Sequence, residues 1–373
     1  MSTAYTFAGS YRTVVDIRSG LPQVAAAPGR LVVCDATTHR LFCGSDADAL
    51  VVPGRDDAKQ WQHVADIIDT ALSRGADRNY ELVAVGGGAV CDLAGFAASI
   101  LLRGVRLTYV PTTVTCMVDA SLGGKTGINF GSRKNMVGTF YPANTLLVYP
   151  EAAGSLPERD YLSGLAEVIK TALLGDEELL RLLETRPEAV RAREPEVLGE
   201  MVSRCLALKG RVASADMREG GAVAVAVDGG PSPDAGGTSD PGREALNLGH
   251  TFGHALESAS GMRWTHGEAV AWGLGRAVVL AERLGMMEHG YATRVWRLLD
   301  SYGYVLHQAD VAADDLFTAM RADKKRRGDD LRFVLQRGLG VTEVRAVAED
   351  DIRAALGTRD IGDGAHAAHG GTG

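Results

Sequence analysis

The sequence contains no CxxC pair, and its five cysteines are an odd number in a chain of 373 residues. Small secreted proteins that depend on disulfides carry a dense, even set of cysteines, so free thiols in a reducing compartment are expected instead. The chain also has no apolar run of transmembrane length, and its first residues, MSTAYTFAGSYRT, lack the pattern of a secretion signal. These absences predict a cytoplasmic protein without a membrane partner.

The chain has no excess of positive charge. Its 39 lysine and arginine residues are outnumbered by 47 aspartate and glutamate residues, which gives a formal net charge of -8. No basic stripe follows any one segment, so a nucleic-acid partner is not expected. The hydrophobic fraction of 46% and the charged fraction of 23% are ordinary for a soluble globular protein, and the length allows two domains.

Short apolar runs alternate with helical patterns over residues 1–150. This alternation predicts an α/β domain, with a parallel sheet of the nucleotide-binding type and helices on its faces. The predicted strands are RLVVCDA, ALVVPG, ELVAVGGG and LTYVPTT, and the predicted amphipathic helix is AKQWQHVADIIDTALSRG.

Near residue 151 the sequence pattern changes from alternating strands and helices to mostly helical. Residues 151–357 are therefore predicted to form a second, mainly α-helical domain. Its helical patterns are PERDYLSGLAEVIKTALLG, DEELLRLLETRP, EVLGEMVSRCLALKGRVASAD and GEAVAWGLGRAVVLAERLG. Residues 228–242 are dense in Gly, Pro, Ser and Asp, which predicts a flexible inserted loop. Residues 358–373 are predicted to be a disordered tail.

The segment VAVGGGAVCDLAGFAA matches neither the GxGxxG fingerprint nor the P-loop pattern. It does run from a predicted strand through three glycines into a helical pattern. Glycines let backbone amides approach a phosphate, and a helix N-terminus favours negative charge. A tight strand–helix turn without a ligand is the alternative.

The segment VPTTVTCMVDASLGGKTGINFGSRKNMVGTFYP combines polar residues and glycines with little helical periodicity. Such a segment predicts a binding loop. Its lysines suit a phosphorylated or carboxylated ligand, although a solvated loop would have the same composition. A second basic cluster, RADKKRRGDDLRFVL, precedes a short strand-like run. It is either a solvated turn or a lysine-bearing segment that closes over an anion.

The segment NLGHTFGHALE places His250 and His254 four residues apart and Glu257 three residues further on. At helical spacing all three lie on one face. A zinc protease of the HExxH type requires glutamate directly after the first histidine, and Thr251 occupies that position. A catalytic metal site requires three protein ligands. Spacing alone nominates His250 with His254; the candidates for completion are Glu257, His266, Glu268 and Glu167.

Taken together, these motifs resemble the 3-dehydroquinate synthase family of sugar phosphate cyclases. The matching segments, in family order, are GGGAVCDLAGFAA, RGVRLTYVPTT, VDASLGGKTGIN, KNMVGTFYP, SGLAEVIK, LNLGHTFGHALE, HGEAV and DKK. The resemblance implies an N-terminal nucleotide-binding domain and a helical C-terminal domain with the active site in the cleft between them. It also implies a tightly held NAD and one divalent metal, zinc or alternatively cobalt.

The implied substrate is 3-deoxy-D-arabino-heptulosonate 7-phosphate, a phosphorylated keto-acid sugar. In the family, NAD transiently oxidises one hydroxyl, phosphate is eliminated, the ketone is reduced again, and an aldol step closes the ring to 3-dehydroquinate. NAD therefore acts catalytically. The resemblance places the protein in the shikimate route to aromatic amino acids, as a carbon–oxygen lyase.

The resemblance also assigns residues. The implied metal ligands are Glu167, His250 and His266, which leaves His254 to work on the substrate beside the metal. The implied catalytic residues are His254, Asn247, Lys125, Lys170 and Asp119. The implied substrate-binding residues are Arg103, Asn135, Lys209, Arg243, Lys324 and Lys325, with Lys324 or Lys325 at the phosphate. Arg103 matches an arginine that reaches the neighbouring subunit's site, which implies a homodimer.

The implied NAD contacts come mainly from the first domain. They are Asp35, Asp56, Lys59, Gly87, Gly88, Asp92, Thr112, Thr113, Lys134 and Ser155. The chain departs from the family in three places. GRDDAK replaces a GExxK element, DMRE with Met217 replaces DERE, and an insertion separates that element from Arg243. Arg243 nevertheless keeps its four-residue spacing to Asn247.

Other functions stay open from the sequence. Cyclases that act on sedoheptulose 7-phosphate or glucose 6-phosphate bind no carboxylate and have no need of the guanidinium fork. Arg243, Asn247 and His254 therefore favour the heptulosonate, although an amino analogue of it retains the carboxylate. A metal-dependent polyol dehydrogenase shares the two-domain plan, but the lysines of GGKTGIN and DKK favour a phosphate. A regulator without activity would be expected to have lost catalytic positions.

Overall fold

The computed structural model describes residues 2–44, 48–56, 59–131, 133–215, 242–307, 310–323 and 331–357. The predicted loop at 228–242, apart from Gly242, and the predicted tail at 358–373 lie outside the described residues. The chain divides into two compact units, residues 1–164 with 191–218 and residues 165–190 with 219–373.

Most of the described strands lie before residue 150 and most of the helices after it, as the change in sequence pattern near residue 151 predicts. The strands are Ser2–Phe7 (β1), Tyr11–Ile17 (β2), Arg30–Cys34 (β3), Ala49–Val51 (β4), Glu81–Gly86 (β5), Arg106–Pro111 (β6), Lys125–Phe130 (β7), Arg133–Phe140 (β8), Thr145–Val148 (β9), Leu331–Gly338 (β10) and Val341–Val347 (β11). The α-helices are Ala36–Thr38 (α1), Trp61–Ser73 (α2), Gly88–Ile100 (α3), Glu158–Leu173 (α4), Glu177–Thr185 (α5), Pro187–Arg191 (α6), Pro195–Ala215 (α7), His250–Ala259 (α8), His266–Arg283 (α9), His289–Ser301 (α10), Ala313–Asp323 (α11) and Glu349–Gly357 (α12).

The main sheet of the first unit has the order β1-β2-β9-β6-β5-β3-β4. β1 and β2 are antiparallel, and every other neighbouring pair is parallel. The strands β3 and β5 are buried along nearly their whole length, as expected for parallel strands covered on both faces. All four predicted strands and the predicted helix α2 are confirmed, and so is the predicted α/β class.

The sheet has a switch point between β3 and β5. From β3 the chain continues outward to β4, and it then returns to β5 on the other side of β3. In open parallel sheets, ligands bind outside the carboxyl ends of the strands at such a point. The residues that directly follow β3 and β5 are therefore candidates for ligand binding.

Two expectations differ from the structure. The predicted binding loop after β6 is instead a π-helical turn, Cys116–Ala120, followed by the antiparallel hairpin β7–β8. Glycine explains the close pairing, because a Cβ at Gly138 would lie 2.0 Å from the Thr126 carbonyl oxygen. The domain boundary at residue 150 also differs from the compact units, since α7 returns to the first unit. A Cβ at Gly210 of α7 would lie 2.2 Å from the Tyr5 ring, and a helical pattern does not reveal which partner a helix packs on.

In the second unit, α8 and α9 pack closely because glycines meet at their contact. A Cβ at Gly273 would lie 2.1 Å from the Gly249 carbonyl oxygen, and one at Gly253 would lie 3.0 Å from the Ala269 carbonyl oxygen. Gly249 itself has φ +78°, a left-handed conformation that glycine adopts without strain. The backbones of α8 and α9 are thus in direct contact, without intervening side chains at these glycines.

Arg276 of α9 is fully buried in the second unit. Its guanidinium donates to the backbone oxygens of Ala355 and Leu306, and it lies over the rings of Trp272 and Trp296. Burial lowers the pKa of Arg276 to about 10. Hydrogen bonds and aromatic faces compensate the buried charge and join α9, α10 and α12.

All five cysteines are free and buried. The Cys91 and Cys116 sulfur atoms lie 3.6 Å apart between α3 and the π-helical turn. The hydrogen-bonding contact with Cys116, together with burial, holds the pKa of Cys91 well above its usual range. These thiols pack as small apolar side chains.

Candidate active site

Glu167, His250 and His266 each offer one ligand atom, and these atoms lie within 4.8 Å of one another. The Glu167 Oε1 atom is 3.0 Å from His266 Nε2 and 3.6 Å from His250 Nε2. Ligand bonds of about 2.0–2.2 Å in a tetrahedral zinc site place donor atoms roughly 3.3 Å apart. One carboxylate and two imidazoles at these separations fit a divalent ion. The structure brings together the three residues that the resemblance nominated.

Three helices supply these side chains, which all belong to the second unit. Glu167 lies inside α4 and is 0% exposed, and His250 is the first residue of α8. His266 is the first residue of α9, which Thr265 caps by accepting a hydrogen bond from the Glu268 backbone N–H. The Glu268 carboxylate reaches back to the Thr265 backbone N–H at 2.7 Å, which completes a capping box. Glu268, a candidate ligand from sequence, therefore has a structural role at the helix start.

Burial and charge set the protonation of this cluster. Burial and the Lys170 ammonium lower the pKa of His250 to about 3, so its ring is neutral at physiological pH. Burial would raise the pKa of Glu167, but Lys170 and the two histidines outweigh it and hold that pKa well below its usual range. Burial likewise opposes charge on His266, yet hydrogen bonds to Glu167 and Glu257 raise its pKa to about 10. Binding of a cation here would release a proton from His266.

Lys170 balances the buried carboxylate. Its Nζ lies 2.6 Å from Glu167 Oε2, one helical turn away, and its side chain is 3% exposed. A buried carboxylate requires such compensation to remain charged. Lys170 was predicted to be catalytic, and the structure places its ammonium against Glu167, one of the three candidate metal ligands.

His254 lies beside the same cluster. Its ring centroid is 5.3 Å from that of His250 and 6.1 Å from that of His266. A second set of potential ligand atoms, from His254, Glu257 and His266, also lies within 4.8 Å. Geometry alone therefore offers two triads that share His266. In the first triad the carboxylate is fully buried and is matched by the Lys170 ammonium.

The remaining predicted residues of this unit lie just before α8. Arg243 is 3% exposed and Asn247 is exposed, and both belong to the 3₁₀ helix Gly242–Asn247. The chain continues through Gly249 directly into His250. The four-residue spacing of Arg243 and Asn247 is thus part of one short element joined to a candidate metal ligand. Lys324, Lys325 and Met217 lie outside the described residues.

Within the first unit, Lys209 of α7 binds Asp119 at the π-helical turn. The Lys209 ammonium donates to both the carboxylate and the backbone oxygen of Asp119. Lys125 opens β7 and is exposed. Lys209 and Asp119, predicted separately, therefore form one ion pair.

A buried lysine organises a second group of predicted residues in the first unit. The Lys59 side chain is 3% exposed, and its Nζ lies 2.7 Å from Asp56, 2.9 Å from Asp92 and 2.6 Å from the Asn135 amide oxygen. Lys134 also reaches Asp56 at 3.1 Å. Burial would lower the pKa of Lys59, but the two carboxylates outweigh it and raise that pKa. Asn135, assigned to substrate from the resemblance, is thus held among residues assigned to NAD.

Several residues assigned to NAD directly follow the carboxyl ends of parallel strands. Asp35 follows β3 and caps α1, and Gly87 and Gly88 follow β5. Thr112 and Thr113 follow β6. A Cβ at Gly87 would lie 3.0 Å from the Thr113 side chain, so glycine permits the close approach. The 13-residue helix α3 begins at Gly88 without a side-chain cap, which suits a phosphate.

Two predicted residues lie apart from these groups. Ser155 is exposed at the end of the 3₁₀ helix Pro150–Ser155, where its hydroxyl donates to the Ala152 carbonyl oxygen. Arg103 is exposed after α3, with φ +68°. Among the described residues, no helix is both long and apolar enough to cross a membrane.

Sequence reasoning missed one residue of the cluster. The sequence nominates Glu257 only as a possible metal ligand, yet its Oε2 lies 3.2 Å from His266 Nδ1. Its spacing of seven from His250 was the available signal, because that spacing places both on one face of α8. The spacing could not show that α9 would return His266 to that face.

Comparison with known proteins divides the chain between residues 163 and 164, next to the first cut between the two compact units. The family model "3-dehydroquinate synthase N-terminal" matches residues 49–163, and "3-dehydroquinate synthase C-terminal" matches residues 164–226 and 238–326. The break between the last two segments falls within the insertion.

Curated relatives agree with these matches. The 3-dehydroquinate synthase of Azotobacter vinelandii is 41% identical over 301 residues, covering 80% of this chain and 77% of that protein. The enzyme of the same name from Pseudomonas aeruginosa PAO1 is 40% identical, covering 82% and 78%. A solved 2-epi-5-epi-valiolone synthase from Streptomyces hygroscopicus, with NAD⁺ and Zn²⁺ bound, is 27% identical with a TM-score of 0.78, covering 93% and 96%. The sequence matches, the two-part fold and the Glu–His–His cluster together show that the chain belongs to the 3-dehydroquinate synthase family.

Proposed function

We propose that the protein is a 3-dehydroquinate synthase, a carbon–oxygen lyase that converts 3-deoxy-D-arabino-heptulosonate 7-phosphate to 3-dehydroquinate and phosphate. The observation that carries this proposal is the convergence of Glu167, His250 and His266, with His254 beside them. Sequence identity of 41% and 40% to curated enzymes of that name supports the same function. A cytoplasmic location stays a prediction.

Glu167, His250 and His266 would hold the divalent metal, either zinc or cobalt. The bound metal would supply a Lewis acid that polarises substrate hydroxyl or carbonyl oxygens. The neutral His250 ring and the anionic Glu167 are already in the protonation states that a metal requires. Lys170 keeps Glu167 anionic, and His254 is close enough to the cluster to exchange a proton with a bound substrate.

The carboxyl ends of β3, β5 and β6 would hold NAD, which would supply a reversible hydride acceptor. Gly87 and Gly88 would admit the pyrophosphate to the start of α3. Lys59 fixes Asp56 and Asp92, and so orders the carboxylates assigned to the cofactor. Asp35 is held by its own capping bonds to α1.

Positive groups would bind the two anionic ends of the substrate. Arg243 is assigned to the carboxylate, because a guanidinium fork matches its two oxygens. Lys125 and Lys209 are the further cations assigned to substrate, and Asp119 holds the Lys209 ammonium in place. Lys324 or Lys325 is assigned to the phosphate. Retention of Arg243 next to Asn247 favours this substrate over sugar phosphates without a carboxylate.

The homodimer is part of the proposal. Leu102 and Arg103 both have positive φ, at 50° and 68°, and both are exposed. Such backbone is costly for residues with side chains and persists where it serves a purpose. Presenting Arg103 outward to a second subunit would be such a purpose.

The purified protein, loaded with NAD and zinc, is expected to release phosphate from the heptulosonate without net formation of NADH. The measurement is phosphate release and absorbance at the NADH band, with sedoheptulose 7-phosphate, glucose 6-phosphate and the amino analogue supplied in parallel. Turnover of sedoheptulose 7-phosphate alone would contradict the proposal. Continuous NADH formation from a neutral polyol would identify a dehydrogenase.

A Lys59→Met variant is expected to bind NAD at least about tenfold more weakly and to lose about 2 kcal/mol of unfolding free energy. The reason is that Asp56, Asp92 and Asn135 all lose their shared ammonium, and a hydrogen bond to a charged group contributes on this scale. Calorimetric NAD titration and urea unfolding measure both effects. Arg74→Met, which removes an exposed ion pair with Asp48, is the control. Equal NAD affinity in Lys59→Met and wild type would refute the proposed role of Lys59.

A further inference from the structure

We propose that Glu257 is a positioning residue of the metal centre. Its carboxylate accepts a hydrogen bond from His266 Nδ1–H and so fixes the ring in the tautomer whose Nε2 lone pair is free to bind the ion. This inference rests on the metal site proposed above at Glu167, His250 and His266. It assigns Glu257 a role that neither the sequence spacing nor the resemblance provided.

The two nitrogens of His266 have different carboxylate neighbours. Nε2 lies 3.0 Å from Glu167 Oε1, and Nδ1 lies 3.2 Å from Glu257 Oε2. Both distances are within hydrogen-bonding range. Since the two nitrogens lie on different edges of the imidazole ring, Glu257 contacts His266 away from the atom that faces the proposed ion.

The chemistry of imidazole gives this contact its consequence. A neutral ring carries one N–H, and the hydrogen bond made by one nitrogen decides which nitrogen keeps it. When Nε2 binds a metal, the proton must reside on Nδ1, and a carboxylate is a strong acceptor for it. Glu257 therefore favours the ligating tautomer and also restricts rotation of the ring.

Glu257 occupies an unfavourable place for a carboxylate. It lies in the last turn of α8, where the helix dipole disfavours negative charge. Its side chain is only 12% exposed, so the charge also loses hydration. The hydrogen bond with His266 Nδ1 compensates part of this cost, because an N–H donor stabilises a carboxylate.

The hairpin between α8 and α9 brings the two residues together. The Met262 backbone N–H donates to the Glu257 carbonyl oxygen at 2.9 Å, and Met262 takes φ +65° as the chain reverses. Thr265 and Glu268 then start α9 with His266 as its first residue. The two glutamates of the hairpin thus separate their tasks, since Glu268 caps the helix and Glu257 contacts the ring.

The test compares wild type, Glu257→Ala and Glu257→Gln after removal of metal. Zinc affinity is measured by competition with a chromophoric chelator, and the Co²⁺-loaded proteins are compared by visible absorption. Glu257→Ala is expected to bind zinc about 10- to 100-fold more weakly, the usual cost of losing such a partner. Its Co²⁺ bands should shift, because the His266 ring is no longer fixed. Glu257→Gln retains an acceptor oxygen and should recover part of the affinity.

The control is Glu282→Ala, which removes the carboxylate of a surface pair between the last turn of α9 and His289 at the start of α10. It should leave zinc affinity and the Co²⁺ spectrum unchanged. Thermal unfolding of the metal-free proteins separates positioning from simple stability. The metal-free melting temperature of Glu257→Ala should match that of Glu257→Gln while their zinc affinities differ.

Two results would overturn the inference. One is zinc affinity in Glu257→Ala within twofold of wild type. The other is a Glu257→Ala protein that binds no zinc while Glu167→Gln still binds one ion. That result would make Glu257 a ligand in the second triad, with His254 and His266. Failure of the proposed function would look different. If zinc affinities change across the variants as expected but the wild type releases no phosphate, only the proposed activity is contradicted.

Discussion

A Glu167→Gln protein is expected to release phosphate about a thousandfold more slowly than wild type and to purify with little zinc. The amide has the shape of the carboxylate but neither its charge nor its second acceptor oxygen. A Lewis-acid contribution of about 4 kcal/mol to the transition state corresponds to about a thousandfold in rate. The measurements are zinc content by atomic emission and the initial rate of phosphate release.

Stability has to be separated from chemistry in this variant. Glu167 compensates the Lys170 ammonium, which is 3% exposed, so its loss also lowers the unfolding free energy. Chelation of the wild type provides the same loss of rate without a substitution, and added zinc should restore the wild type but not Glu167→Gln. Glu158→Gln on the same helix removes only an exposed pair with Arg193 and should behave as wild type. Full activity and full zinc content in Glu167→Gln would disprove the assigned ligand set.

A Gly273→Ala protein is expected to lose at least about 3 kcal/mol of unfolding free energy, because the added methyl overpacks a contact between two backbones. The new Cβ would lie 2.1 Å from the Gly249 carbonyl oxygen and 2.8 Å from the Gly253 backbone nitrogen. Backbone atoms cannot move aside as a side-chain tip does. The helices α8 and α9 would have to separate, and zinc affinity should fall with them.

Gly275→Ala is the matched control, two residues further along α9. Its Cβ would meet the Trp296 ring at 3.4 Å and Leu306 at 3.5 Å, which are ordinary contacts. Alanine is also the better helix former, by up to about 1 kcal/mol. Thermal and urea unfolding should therefore separate the two variants by several kcal/mol, with Gly275→Ala at or above wild type. Similar stability of both variants would show that the α8–α9 contact is looser than described.

The predicted parts of the fold follow from local pattern. Continuous apolar runs specify β3, β5 and β6, because parallel strands are buried on both faces. Periodicity of 3.6 likewise specifies α2 and the later helices. Local sequence pattern does not encode long-range packing. For this reason it did not predict the hairpin β7–β8 or the packing of α7 on the first unit. The packing of α7 on the first unit, as at Gly210 against the Tyr5 ring, joins parts of the chain that are distant in sequence.

The candidate site divides in the same way. Spacing showed that His250 and His254 share a face, but it could not choose the third ligand among four candidates. The resemblance nominated Glu167 and His266, and the structure brings both to His250. The Glu257 contact depends on how α9 folds back on α8, so no pattern within either helix contains it. The shared Lys59 contact of Asp92 and Asn135 is equally a result of tertiary packing.

The burial of the cysteines has a practical consequence for following how the protein unfolds. All five belong to the first unit, whereas the second unit contains Trp264, Trp272 and Trp296, three of the four tryptophans. A pulse of a thiol-specific reagent therefore reports opening of the first unit, because buried sulfur reacts only after its surroundings open. Indole emission reports mainly the second. One denaturation series with both readouts can assign separate midpoints to the two units of the unlabelled natural chain.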